Sequence, residues 1–216
     1  MDRQLEACLA AERIINTIQS AGFDLSDPHS IIQHAWSNLP DGMQYAYGAS
    51  RLVLWDGDYC DYVVKIALEP SYEKYCQHEV EIYRAAVAEG LDNSFAWCTC
   101  YAEPDWDNDL PGIYVMEYLD CNEDEVYDDA WTYGYKEYCR SHGLDDSNYD
   151  NADDYDSWKE CDDSGLVLDL LESTMDDKYR RAFEIFMCKW EITDIHNANI
   201  SSSYPYKIVD YAGWGW

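Results

Sequence analysis

The chain has 216 residues, 47% of them hydrophobic and 15% aromatic, with 9 Trp and 20 Tyr. That composition excludes a disordered acidic tail and is enough for one sizeable core or two small lobes. Lys and Arg total 14 against 44 Asp and Glu, a formal net charge of −30, and a field of that sign repels nucleic acid and anionic membrane, which argues against direct DNA or RNA binding. Two meanings of the charge stay open: a heavily hydrated surface, or an acidic face that docks on a basic protein surface, including one that normally holds DNA. The 9 cysteines are scattered, without a Cys-x-x-Cys pair, and fit small apolar residues of a reducing compartment. Met1 to Glu6 carry no apolar signal region and no run approaches membrane-spanning length, so a cytoplasmic protein is expected.

In chain order, Leu5, Cys8, Leu9, Ile14, Ile15 and Ile18 recur at helical spacing and predict an amphipathic helix over 3–20, ended by Gly22. Asp27-Pro28 supplies an N-cap and a first-turn proline for a second helix with Ile31, Ile32 and Trp36. From Tyr45 the pattern turns to strands, at Arg51–Trp55 and Tyr62–Leu68, followed by a helix over 72–89 that Gly90 closes. Two more strands are expected near Phe95–Tyr101 and Ile113–Leu119. Residues 120–165 are the most acidic and least periodic part, and their interleaved tyrosines predict short helices with rings inward and carboxylates outward. A single long helix is expected from Leu166 to about Glu191.

Five residues stand out against this background. Lys65 lies in the strand Val63-Val-Lys-Ile66, where a compact ammonium can neutralise phosphate while pairing with a carboxylate. Glu79, in His78-Glu-Val-Glu-Ile-Tyr83, is on the next helix, with Glu81 facing another side. Asp194 and Asn199 lie in Ile192-Thr-Asp-Ile-His-Asn-Ala-Asn-Ile200, and Asp210 in Tyr206-Lys-Ile-Val-Asp-Tyr-Ala-Gly213. Asn199 and Asp210 offer the oxygen donors that suit a hard cation.

The combined pattern resembles the protein-kinase-like superfamily over residues 45–213. Within it the chain is similar to the compact early protein kinases of tailed bacteriophages and the minimal kinase effectors of bacterial pathogens, through the Asp-x-His-x-x-Asn-Ile run and the nearby second Asp. The resemblance implies an α+β, bilobal fold: a helical extension at 1–44, an N-lobe at 45–119, and a reduced C-lobe at 120–216. The C-lobe would hold the acidic insert 120–165 and the catalytic and metal motifs 192–213. It implies ATP and Mg2+ as cofactors, with Lys65 on the phosphates, Glu79 as its partner, Asp194 as catalytic base, and Asn199 and Asp210 as metal ligands. Tyr114-Val-Met-Glu-Tyr-Leu119 aligns with the strand and hinge beside the adenine, with Met116 as gatekeeper and Glu117 and Leu119 offering backbone groups.

The chain departs from the family at several points. Gly48 alone survives of three phosphate-loop glycines, Ala46 and Arg51 standing at the other two; Arg51 either clamps phosphate by charge or blocks the loop. Ile192-Thr193 replaces His-Arg, which leaves no docking residue for an activation-loop phosphate. Asp210-Tyr-Ala212 replaces Asp-Phe-Gly. His196 stands where kinases of the aminoglycoside and choline type also have histidine, and a purely packing role for it is open. Two functions follow as expectations. One is an ATP- and Mg2+-dependent protein kinase acting on host proteins in the cytoplasm of a host cell. The other is a kinase-shaped acidic inhibitor or DNA mimic that occupies a basic host protein, for host takeover or anti-defence, without catalysis. A metabolite kinase is a third possibility that His196 alone favours.

Overall fold

The computed structural model describes residues 2–58, 61–147, 149–159 and 163–212; Cys60, Cys161, Gly213, Trp214 and Trp216 lie outside them, as do the side chains of Trp36 and Trp158. The protein is a mixed α+β chain that divides into two compact units, one running up to Ala88 and including Ala96–Tyr118, the other comprising Glu89–Phe95 and the chain from Leu119 onward.

The first unit is a five-stranded antiparallel sheet flanked by helices. Its strands are β1 (Met43–Tyr47), β2 (Arg51–Asp56), β3 (Tyr62–Ala67), β4 (Cys98–Ala102) and β5 (Ile113–Glu117), in the order β1-β2-β3-β5-β4. β1 is additional to the strands expected from the sequence. Period-2 alternation gives the sheet two different faces. Leu52 and Leu54 of β2, Val64 and Ile66 of β3 and Val115 of β5 point to one side, into a dry cluster with α1 (Arg3–Ser20) and α2 (Pro28–Asn38). Each such aliphatic side chain contributes about 1.5–3 kcal/mol on burial. Asp27 caps α2 as expected, accepting the Ser30 N–H at 2.9 Å, with Pro28 in the first turn.

The buried face of α1 keeps the expected Ile14 and Ile18 but differs toward its N-terminus. Leu5 and Leu9 are 51% and 50% exposed, while Ala7, Ala10, Ala11, Ile14 and Ile18 face the sheet. Small alanines let the helix axis approach the strands closely, so the largest apolar side chains near its N-terminus end up outside. Arg3 fastens this end: its guanidinium pairs with Glu117 at 2.9 Å and lies over the Trp97 ring, 5.5 Å from the centroid.

The opposite sheet face carries Arg51, Lys65, Tyr114 and Met116, and α3 (Glu73–Glu89) supplies carboxylates to it. Buried Glu73 accepts the Tyr114 hydroxyl at 2.5 Å and the Gly112 N–H at 3.2 Å. Burial first, then Glu73, pushes the Tyr114 phenol upward, which keeps it a donor.

In the second unit, the first helix within residues 120–165 is longer than the short helices expected there. α4 spans Glu123–His142, 20 residues. Asn122 accepts N–H bonds from Asp124 and Glu125, three acids occupy the first turn, Arg140 and His142 the last, and Gly143 closes the helix at φ 67°. These caps and charges complement the helix dipole at both ends. α5 (Ala152–Lys159) brings Tyr155 against α4, where Tyr155 and Leu166 occupy the space a Cβ on Gly134 would need. Tyr135 and Tyr155 are buried and the acids of α4's first turn are exposed, in line with the inward rings and outward carboxylates read from composition.

The single helix expected over 166–191 is two helices, α6 (Asp163–Ser173) and α7 (Asp177–Lys189). Ser173 and Thr174 turn their hydroxyls back onto the Leu170 and Leu171 carbonyls, at 2.6 and 2.7 Å, and Asp176 caps α7 through the Lys178 and Tyr179 N–H groups. Phe95, fully buried, is the centre of the aromatic core, its ring centroid 5.3 Å from Tyr211, 5.5 Å from Phe186 and 6.0 Å from Phe183.

Candidate functional site

The sequence-selected residues fall into one group in each unit. In the sheet unit, the Val53↔Lys65 register places Lys65 on the face where α3 presents Glu79. The Lys65 ammonium donates to both Glu79 oxygens, at 3.0 and 3.1 Å. Glu81 is exposed and pairs with His78 on the surface instead. Arg51, paired in register with Ala67, is a diagonal neighbour of Lys65 on the same face. Its Nη1 donates to Glu79 Oε1 at 2.6 Å. All three side chains are buried: Arg51 and Lys65 are 9% and 7% exposed and Glu79 2%. Arg51 therefore turns inward, to the α3 carboxylate. Cys76, one turn before Glu79, has its thiol pushed up to about 12 by burial and then by the Glu79 charge.

Gly48 occupies the turn between β1 and β2. Its N–H donates to the Arg51 carbonyl at 3.0 Å, and a Cβ placed on it would meet nothing within 4 Å. Met116 is buried on β5. Glu117 is occupied on both sides: its N–H donates to the Trp97 carbonyl at 2.8 Å and its carboxylate accepts the Trp97 N–H at 3.1 Å besides pairing with Arg3. Leu119 is the first residue of the second unit's main segment, and its carbonyl accepts from the Cys121 thiol at 3.5 Å.

In the helical unit, the chain leaves α7 by a Schellman turn. The Ile192 N–H reaches the Met187 carbonyl at 3.0 Å, and Glu191 takes the left-handed conformation at φ 52°. The segment that follows is held by short-range bonds. His196 Nδ1 accepts the Ala198 N–H at 3.2 Å, which places the imidazole proton on Nε2, 3.6 Å from Asp194 Oδ1. Asn199 Nδ2 donates to the Asp194 carbonyl at 3.1 Å, leaving the carboxamide oxygen as its remaining acceptor. The Asn199 carbonyl accepts the Val209 N–H at 2.9 Å, and Ile200 bridges to Ile208, so Asn199 and Asp210 share one end of a short antiparallel pairing. Asn197 donates to the Glu123 carbonyl at 3.2 Å, tying this loop to the start of α4. A cleft of about 380 Å³ lies beside the segment, with Leu168, Met187, Ile192 and Ile195 in its wall. Glu172, also in that wall, has its carboxyl pushed up by burial and then by Glu184.

Among the described residues no group of three or more His, Cys, Asp or Glu side chains is placed to hold a metal ion. Magnesium does not require one: it commonly takes one or two protein oxygens and completes its shell with water and substrate phosphate. Asp210 and Asn199 are oxygen donors of that chemical type, and the Val209–Asn199 main-chain bond sets them near one another along the chain pairing.

Arg51 in its inward role and Glu73 escaped the sequence reading. Glu73, Cys76, Glu79, Val80 and Tyr83 repeat at three- and four-residue spacing, a pattern that marks Glu73 as inward-facing on α3. Nothing in the sequence distinguishes an inward from an outward Arg51. No helix among the described residues is long and apolar enough to cross a membrane. Comparison with protein families, curated proteins and solved structures finds no match to this chain.

Proposed function

We propose that the chain is a protein-kinase-like phosphotransferase that uses ATP and Mg2+ to modify a hydroxyl of a host protein. The observation that carries this reading is the buried bond between Lys65 on a strand and Glu79 on the following helix, at 3.0 and 3.1 Å. It reproduces the lysine–glutamate pair on which protein kinases depend. In the second unit, Asp194 presents a half-exposed carboxylate suited to orienting an acceptor hydroxyl and taking its proton. His196, fixed in one tautomer, directs Nε2–H toward that carboxylate. Asn199 and Asp210 would hold the metal, which when bound neutralises charge on the transferring phosphate. Lys65 would contact nucleotide phosphate. Gly48, Met116, Glu117 and Leu119 are the proposed nucleotide contacts, although the N–H groups of Gly48 and Glu117 already donate to main-chain carbonyls.

The test is incorporation of labelled phosphate from ATP into proteins of a host lysate. Wild type is expected to label a protein band and Asp194→Ala to lose about 100- to 10,000-fold in rate. Equal labelling by the two removes Asp194 from its role.

A second reading is favoured by the exposed carboxylates of α4 and α5, among them Glu123, Asp124, Asp128, Asp153 and Asp154. They form an outward acidic surface suited to a basic protein that otherwise holds DNA. Here binding to the host protein is salt-sensitive, competes with DNA and survives Lys65→Ala and Asp210→Ala. Loss of the biological effect in those variants, with the fold intact, eliminates it.

A further inference from the structure

Glu79 receives two cations where the pairing role needs one. Arg51 Nη1 makes the shortest of the three contacts, 2.6 Å to Oε1, and Lys65 spans both oxygens at 3.0 and 3.1 Å. The two cations are not equivalent. Arg51 opens β2 at the base of the β1–β2 turn, and a guanidinium keeps its charge at all accessible pH and holds a buried carboxylate in fixed geometry. The Lys65 ammonium is a rotatable point charge on a flexible stem. A lysine that is the sole counter-ion of a buried glutamate cannot turn to another anion without weakening that pair, and an unpaired buried charge is costly.

We propose that Arg51 is a positioning residue: it neutralises Glu79 and fixes α3, which leaves Lys65 able to turn its ammonium to an anionic ligand, the polyphosphate of a nucleotide. The ligand half of this proposal rests on the kinase reading above. Arg51 thus acts through Glu79, neither clamping phosphate itself nor blocking the turn.

The full chain and its Arg51→Met, Lys65→Met, Glu79→Gln and Arg51→Met/Glu79→Gln variants are compared by thermal unfolding and by calorimetric titration with MgATP. Lys65→Met is expected to unfold within a few degrees of wild type and to bind MgATP at least about tenfold more weakly. Arg51→Met should unfold earlier than Lys65→Met, and it should lose affinity because Lys65 is then committed to Glu79. Removing the carboxylate charge frees Lys65 from that commitment, so Arg51→Met/Glu79→Gln should bind MgATP more tightly than Arg51→Met, though below wild type. A merely structural arginine gives no such recovery, and neither does one that touches the phosphate.

Wild-type affinity in folded Arg51→Met, or a double variant as weak as Arg51→Met, overturns the proposal and leaves the kinase reading standing. If wild type binds no MgATP, the kinase reading and the ligand half fall together. The unfolding order then decides the positioning half: Lys65→Met unfolding as early as Arg51→Met overturns it.

Discussion

The candidate residues of the sheet unit and those of the helical unit are held in opposite ways. Lys65, Glu79 and Arg51 are interior side chains on regular elements, and both cations are bonded to Glu79. Asp194 and His196 are each 40% exposed on a loop, which is ordered by main-chain and capping bonds such as Asn199 to the Asp194 carbonyl and Ala198 to His196. The first arrangement ties the carboxylate to stability, because removing Glu79 leaves both cations in an uncompensated interior. The second separates the two, since a half-exposed carboxylate can be lost to solvent at little cost. Regular elements place a charge rigidly, whereas a capped loop presents one to a ligand.

The largest effect should divide the units cleanly. Glu79→Ala leaves two cations in the interior without their carboxylate and is expected to cost about 3–5 kcal/mol of stability. Asp194→Ala should change stability by less than about 0.5 kcal/mol while lowering the proposed phosphate transfer about 100- to 10,000-fold. Denaturant melts of the two variants measure this, and similar losses in both break the contrast. Next, Tyr114→Phe removes the hydrogen bond to buried Glu73, leaves that acceptor unsatisfied and should cost about 1–3 kcal/mol. The same melts show whether Glu73 belongs with the stabilising interior charges.

Two acids of α6 in the helical unit have raised carboxyls, Glu172 half-buried and Asp169 exposed. Burial raises Asp169, and burial followed by Glu184 raises Glu172. Their folded pKa values therefore exceed the unfolded ones. The stability they permit is full below the unfolded carboxylate range and is lost as pH rises through the folded values. Thermal melts should shift upward as pH falls from 7 toward 5, and Glu172→Gln should flatten that slope and raise the midpoint at pH 7 by about a degree or two, allowing for solvent screening. A midpoint that falls over that range assigns the pH response to other carboxylates. The smallest expected change is at the entrance to the Asp194 loop. Glu191 pays for its left-handed φ of 52°, so Glu191→Gly should gain about 0.5–1 kcal/mol with transfer unchanged.

Much of the sheet unit was legible because its signals are local. The runs at Arg51–Trp55 and Tyr62–Leu68, the Asp27-Pro28 cap and the periodicity of α3 each depend on a few neighbouring residues. Lys65 and Glu79 are close in sequence, and strand and helix geometry carried them to one face. What stayed hidden depends on tertiary choice. Apolar periodicity named Leu5 and Leu9, but the sheet selected Ala7, Ala10 and Ala11 because close approach outweighed side-chain size. β1 carries only weakly patterned residues and forms by pairing with β2. α4 was obscured by its acids, which lower mean hydropathy while favouring the helix start. The α6–α7 break was readable in principle from Ser173-Thr-Met-Asp176, a back-bonding pair followed by an N-cap. The direction of Arg51 follows from register and from Glu79, neither of which composition encodes.

Phe95 has a bearing on how this chain can be made and divided. Its ring is at the centre of the core shared by Phe183, Phe186 and Tyr211, yet it leaves the ribosome before β4 and β5 of the sheet unit. The short piece Glu89–Phe95 is thus a loan from the early chain to the late one. A cut between Tyr118 and Leu119 looks like the natural seam for expressing halves, but it strands that piece on the wrong fragment. The C-terminal half made alone would have a hole where an aromatic ring belongs. Supplying a peptide that covers 89–95, or adding the N-terminal half in trans, becomes the condition for its folding.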